Sequence, residues 1–256
     1  GSEMCIRDRY INIFNFIYIM QVIDFSKKYE IPKGCGNHAE IFPRNIFCVI
    51  AGSTGCGKTN LMVNLLLQEN KINYSDVYIY SPTLHQPAYI YLKHSYELME
   101  KIIMNKTKQS VKIAHFCDPA EKQLIDPVEL DKKQNHVMIF DDVMLDDQTA
   151  IKKYFCSGRH NNVNVFYLVQ SLHKIAKHCI RENANIFILF KQDDKTLKYF
   201  HETHISGDMD FKELKQFCDN AWMKKHGFVV FNLWDTAYCG RYWDNYTHIY
   251  VPTKYK

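Results

Sequence analysis

The chain reads as an α/β protein, with a mostly parallel sheet flanked by helices, then a helical insert and a late strand. Three observations predict this. Between Ile46 and Leu66 an apolar segment runs into a glycine-rich loop and then an amphipathic stretch. Three continuous apolar runs, His136–Phe140, Asn164–Val169 and Asn185–Phe190, have the composition of strands buried on both faces. Helical patterns separate these runs, and such alternation implies parallel pairing with right-handed crossovers.

The elements follow in order. Residues 1–19 read as a tag or assembly artefact: Gly1-Ser2, then EMCIRDRY, then YINIFNFIYIM. That apolar run is interrupted by Asn12 and Asn15 and falls short of the about 20 residues a membrane span needs. Arg7 and Arg9 precede it as in a signal peptide, but no small-residue cleavage site follows, which makes that the weaker reading. Residues 20–44 form a leader, with loops set by Pro32, Gly34, Gly36 and Pro43 around a short strand at Val22–Phe25. Residues 45–256 form one domain with a C-terminal helical and aromatic extension. Strand 46–51 leads to helix 58–69. Strand Val77–Tyr80 ends at Ser81-Pro82, and a helix covers about 88–104. A strand at Val111–Phe116 and a polar helix near 127–134 precede the first of the three buried runs. Helices at about 147–157 and 172–183 connect those runs. A helical insert at 194–225, a strand at Phe228–Trp234 and an aromatic tail close the chain.

The chain has 256 residues, which suits one α/β domain. Hydrophobic residues make up 46%, enough for a full core. A net charge of +4 and a pI near 8.4 are compatible with a nucleic-acid partner without requiring one. Nine Cys, an odd number with no CxxC pair, read as free thiols in a reducing compartment.

The chemistry starts at Gly52-Ser53-Thr54-Gly55-Cys56-Gly57-Lys58-Thr59, followed by Asn60, a complete G-x-x-x-x-G-K-[ST] loop. Glycines at 52, 55 and 57 allow positive φ and bring backbone N–H groups close to a phosphate. The following helix aims its unpaired N–H groups at the same anion. Lys58 reaches the β- and γ-phosphates of a nucleotide such as ATP, and the Thr59 hydroxyl can ligate Mg²⁺. A second buried strand ends in Asp141-Asp142. Asp141 is placed to hold the Mg²⁺ shell, and Asp142 to orient an attacking water. Gln170 closes the next strand, where ligands sit in open α/β sheets, within reach of the γ-phosphate or the water. Arg159 and Arg181 are candidates for a finger that reaches a neighbouring subunit's nucleotide, or else for surface ion pairs.

The ordered set GSTGCGKT, HVMIFDD, SGRHNNVNVFYLVQSL and IRENANIFILF spans about 46–190. It resembles the genome-packaging ATPases of the FtsK–HerA superfamily, as in large DNA viruses of eukaryotes and virophages. The resemblance implies a P-loop NTPase fold of the RecA or FtsK–HerA type. It implies Lys58 and Thr59 as the Walker A pair, Asp141 and Asp142 as the Walker B pair, and Gln170 as the sensor. Many superfamily members carry Asp-Glu in Walker B, so Asp142 is a shorter substitute. It further implies a homo-oligomeric ring, a pentamer or hexamer, with ATP at subunit interfaces and double-stranded DNA in the pore. Capsid proteins as further partners, no membrane, and a location in the host cytoplasm, a viral factory or the virion are also what the resemblance implies. Lys152, Lys153, Arg159 and His160 are the candidate DNA contacts. The two lysines read equally well as a solvated basic helix face.

Two other classes stay open. A nucleotide kinase shares the loop but needs an arginine-rich lid, and none is visible. A nucleotide-dependent capsid assembly factor with little turnover is compatible with Asp142. A GTPase is disfavoured, because Asn105-Lys106-Thr107-Lys108 lacks the carboxylate that reads guanine.

Overall fold

The computed structural model describes residues 38–68, 71–121, 124–143 and 148–256, which belong to one compact unit, 34–256. The expected strand at 22–25, the segment 1–19 and most of the leader lie outside the described residues.

Nine strands form one sheet: β1 Phe47–Ala51, β2 Asp76–Tyr80, β3 Ala114–Cys117, β4 His136–Asp141, β5 Val163–Val169, β6 Ile186–Phe190, β7 Phe228–Asn232, β8 Tyr242–Asp244 and β9 His248–Tyr250. Their order is β3-β2-β4-β5-β1-β6-β7-β8-β9. Strands β1 to β6 pair only in parallel among themselves. The pairs β6–β7, β7–β8 and β8–β9 are antiparallel. The aromatic tail thus extends the sheet by two short strands that the sequence reading did not contain.

Residues of β1 alternate between the two sides. Phe47, Val49 and Ala51 enter one core and Cys48 and Ile50 the other. Helices α1 Lys58–Leu67 and α2 Pro87–Thr107 cover the second core with Met62, Leu65, Leu66, Tyr89, Leu92 and Tyr96. Helices α3 Thr149–Ser157, α4 Asp194–Phe200 and α5 Phe211–Trp222 cover the first with Tyr154, Phe155, Leu197, Phe200, Leu214 and Phe217. A two-sided core explains why the central strands are apolar without alternation.

Several expected elements differ. The helix near 127–134 is only a 3₁₀ turn, Pro127–Glu129. The Asp131 side chain accepts from Lys133 N at 3.0 Å, an Asx turn that competes with helix. The helix at 172–183 is a 3₁₀ turn at Leu172–Lys174 and a π-turn at Lys177–Arg181. Its buried anchors are Leu172, Ile175 and Ile180, and the five-residue step from 175 to 180 fits an i→i+5 turn better than an α-helical one. Strand Val111–Phe116 is displaced to Ala114–Cys117, because Val111 is exposed and Glu100 takes the Ile113 N–H at 2.8 Å. The insert at 194–225 is two helices joined through a π-turn at His201–Ile205. Strand β7 stops at Asn232, whose side chain turns to Ile41 O at 3.0 Å.

Two asparagines hold the start of β1. Asn164 Oδ1 accepts from Ile46 N at 2.9 Å, and Asn185 Oδ1 accepts from Phe47 N at 2.8 Å while its Nδ2 donates to Asn45 O at 2.7 Å. These bonds substitute for ladder bonds at the strand entrance. Asn185→Ala should therefore lower unfolding free energy by about 1–3 kcal/mol, since it orphans the Phe47 N–H. Denaturant titration reads this, and a change within about 0.5 kcal/mol, typical of an inert surface substitution, contradicts it.

Candidate active site

After β1 the chain turns through Gly52 to Gly57 into α1. Gly55 at φ 77° and Gly57 at φ 115° occupy the left-handed region expected of this loop. Gly52 does not; it is required for space instead. A Cβ there would stand 2.7 Å from both Cys56 Sγ and Phe190 Cβ. Gly57 caps α1 without a side-chain hydrogen bond, so the first N–H groups of the helix face the loop. Lys58 Nζ crosses the loop and donates to Gly52 O at 2.7 Å and Ser53 O at 3.0 Å. Its charge also lies near the Cys56 thiol, whose pKa burial raises and Lys58 partly lowers.

The carboxylates arrive from β4. Asp141 is 5% exposed, and its Oδ2 accepts from Thr59 Oγ1 at 3.0 Å and from Tyr89 OH at 2.6 Å. Burial pushes the Asp141 pKa up, while the bonds from Tyr89 and Thr59 and the charge of Lys58 oppose that. A buried carboxylate beside a hydroxyl is a hard-oxygen pair suited to Mg²⁺, which normally takes one or two protein ligands and completes its shell with phosphate and water. The residues fit the ion.

Asp142 is exposed and adopts φ 58°, a left-handed geometry that Asp tolerates better than most residues. Its Oδ1 accepts from Gln170 Nε2 at 3.0 Å. The parallel register sets Asp141 beside Leu168, so the ends of β4 and β5 present Asp142 and Gln170 side by side. A cleft of about 280 Å³ runs along Gly55, Gly57, Lys58, Thr59, Asn60 and Gln86. It adjoins a smaller one lined by Thr54, Gln86, Asp141, Asp142 and Gln170. A larger cavity of about 640 Å³ lies against α3, near Asp126 and Tyr154, and contains none of these groups.

The remaining candidates lie elsewhere. Arg159 sits in the turn before β5 with its guanidinium 5.8 Å from the Phe47 ring. Phe47 begins β1 and the phosphate loop follows its end, so about 13 Å of strand separates the two at about 3.3 Å per residue. His160, next to Arg159, is exposed. Arg181 lies on the face covered by α3 to α5, its guanidinium 5.0 Å from the Tyr199 ring. Lys153 is paired with Asp126, and Lys152 is half-buried on the same helix. Among the described residues, no arginine lines the two clefts of a single chain. Asn105–Lys108 ends α2.

Sequence reasoning missed four residues near the loop. Gln86 and Tyr89 come from the start of α2, and Gln192 Nε2 donates to Ala51 O at 3.3 Å. His226, at φ 61° in the turn before β7, donates from Nδ1 to Cys56 O at 2.9 Å. Tyr89 had one signal, since a core tyrosine hydroxyl needs a partner; the others had none.

No curated protein matches the chain. Solved structures similar to it include the genome packaging NTPase B204 from Sulfolobus turreted icosahedral virus 2 in complex with sulfate. That likeness has 14% identity, a TM-score of 0.49, and covers 74% of this chain and 92% of that one. The B204 DNA-packaging ATPase from Sulfolobus turreted icosahedral virus is 16% identical with a TM-score of 0.49, over 73% of this chain and 91% of that one. The model of the family described as Poxvirus A32 protein matches residues 38–239, most of the chain and all of the site just described. The chain belongs to the Poxvirus A32 protein family.

Proposed function

We propose that this protein is an ATP-hydrolysing motor that drives double-stranded DNA into a viral capsid. The observation that carries the hydrolytic part is the pairing of Gln170 with Asp142, beside the Thr59–Asp141 contact and facing the phosphate loop. Family membership and the succession of motifs support the packaging role.

In this reading Lys58 leaves the carbonyls of Gly52 and Ser53 for phosphate oxygens. Thr59 and Asp141 would hold Mg²⁺, which would supply neutralisation of phosphate charge. Asp142 takes the proton from the attacking water, and Gln170 fixes the orientation of Asp142 and of that water. In this reading an arginine that answers charge on the γ-phosphate comes from a second copy in a ring, in keeping with two clefts that no described arginine lines. Arg159 and Arg181 are the two to test, by mixing Arg→Ala subunits with Lys58→Ala subunits. A finger that acts in trans restores activity in such mixtures. The seven described cysteines are all free, in keeping with a reducing compartment. Among the described residues no helix is long and apolar enough to cross a membrane.

The test is phosphate release with and without long duplex DNA across a salt series. DNA should stimulate hydrolysis, and the stimulation should fade as salt rises, because phosphate contacts release counterions. A rate indifferent to DNA at every salt concentration removes the motor reading. ATP-driven growth in particle size with negligible turnover favours an assembly factor.

A further inference from the structure

The first turn of α2 supplies the cation site with a group that neither nucleotide motif contains. Tyr89 is 1% exposed, and its hydroxyl donates to Asp141 Oδ2 at 2.6 Å across 52 residues of sequence. The same oxygen accepts from Thr59 Oγ1 at 3.0 Å. Among the described residues no side chain donates to Asp141 Oδ1, which leaves that oxygen for other work.

We propose that Tyr89 is a positioning residue for Mg²⁺, holding the Asp141 carboxylate oriented so that it and Thr59 can receive the ion. The inference rests on the ATP–Mg²⁺ reading of the site above. Hydrogen bonds from a donor to a carboxylate are short and strong, and the one from Tyr89 fixes Oδ2 and with it the plane in which Oδ1 is presented. Thr59 must turn a lone pair to the ion, whereas the Tyr89 hydroxyl can stay on Asp141. Groups that orient metal ligands in this way typically change metal affinity by about 10–100-fold when removed. Tyr89 also lies one turn beyond Gln86, which lines both clefts. The cation site and the mouth of the nucleotide cleft are therefore joined by one helix turn.

A tyrosine that merely fills the core makes a different forecast from one that serves the ion. The measurement is binding of a fluorescent ATP analogue to the full chain, first in EDTA and then across a Mg²⁺ titration. In the parent, Mg²⁺ tightens binding. Tyr89→Phe keeps the ring and its packing. It should bind the analogue equally well in EDTA but need about tenfold more Mg²⁺ for half the tightening. Asp141→Asn should shift the same midpoint, and adding Tyr89→Phe to it should shift it little further. The proposal is overturned if Tyr89→Phe has the parent's Mg²⁺ midpoint, if it weakens binding equally with and without Mg²⁺, or if the two substitutions are additive. A parent that shows no Mg²⁺ effect sinks the Mg²⁺ site itself, and this inference with it.

Discussion

Lys58→Ala is expected to lower ATP turnover by about 10²–10³-fold, the scale on which one preorganised charge at a developing transition state acts. That corresponds to about 3–4 kcal/mol of barrier. In the structure the ammonium spans the loop between the carbonyls of Gly52 and Ser53 and lies close to Asp141. It is thus held where transferred charge would develop. Loss of the ammonium frees the carbonyl of exposed Ser53 to water and leaves that of buried Gly52 without this donor, a cost of about 1–3 kcal/mol. The variant should therefore still fold, with a modestly lower thermal midpoint. Steady-state phosphate release reads the effect. Turnover within threefold of the parent would mean that hydrolysis occurs elsewhere or comes from a contaminant.

Asp142→Asn is the second large effect. It removes the base but keeps the shape, and Asn tolerates the left-handed backbone at this position as well as Asp does. Its amide oxygen can still accept from Gln170, so the contact observed at 3.0 Å survives. General-base loss typically costs about 10²–10⁴-fold, so kcat should fall by about 10²-fold or more while analogue binding stays unchanged. Single-turnover phosphate release separates the two. A kcat within twofold of the parent would deny Asp142 the role, and would strengthen the case for an assembly factor that barely turns over ATP.

How much of this was legible beforehand varies by element. The loop, β1, β4, β5 and β6 were readable because each is a local pattern: a complete motif, or an apolar run longer than any turn. Gln170 was legible as a polar residue at the end of such a run, though not its bond to Asp142. The segments 127–134, read as a polar helix, and 172–183, read as a connecting helix, are instead short turns set by the buried anchors Pro127, Leu172 and Ile180. Strands β8 and β9 were hidden because three-residue strands carry too little pattern to register. The asparagines of NVNVF and NANIF looked like motif residues; two of them, Asn164 and Asn185, turn out to fasten the entrance of β1.

The sequence by itself determined that a complete phosphate-loop motif follows β1, that a carboxylate closes a second buried strand, and that the sheet is largely parallel. These follow from residue type and short spacing, which act within a few residues. Only the tertiary structure decided that Tyr89 shares the oxygen of Asp141 with Thr59, that His226 leans on Cys56, and that Arg159 lies at the other end of β1. Such relations join residues 52, 170 and 112 positions apart, and strand order and register, not local preference, set which of them meet.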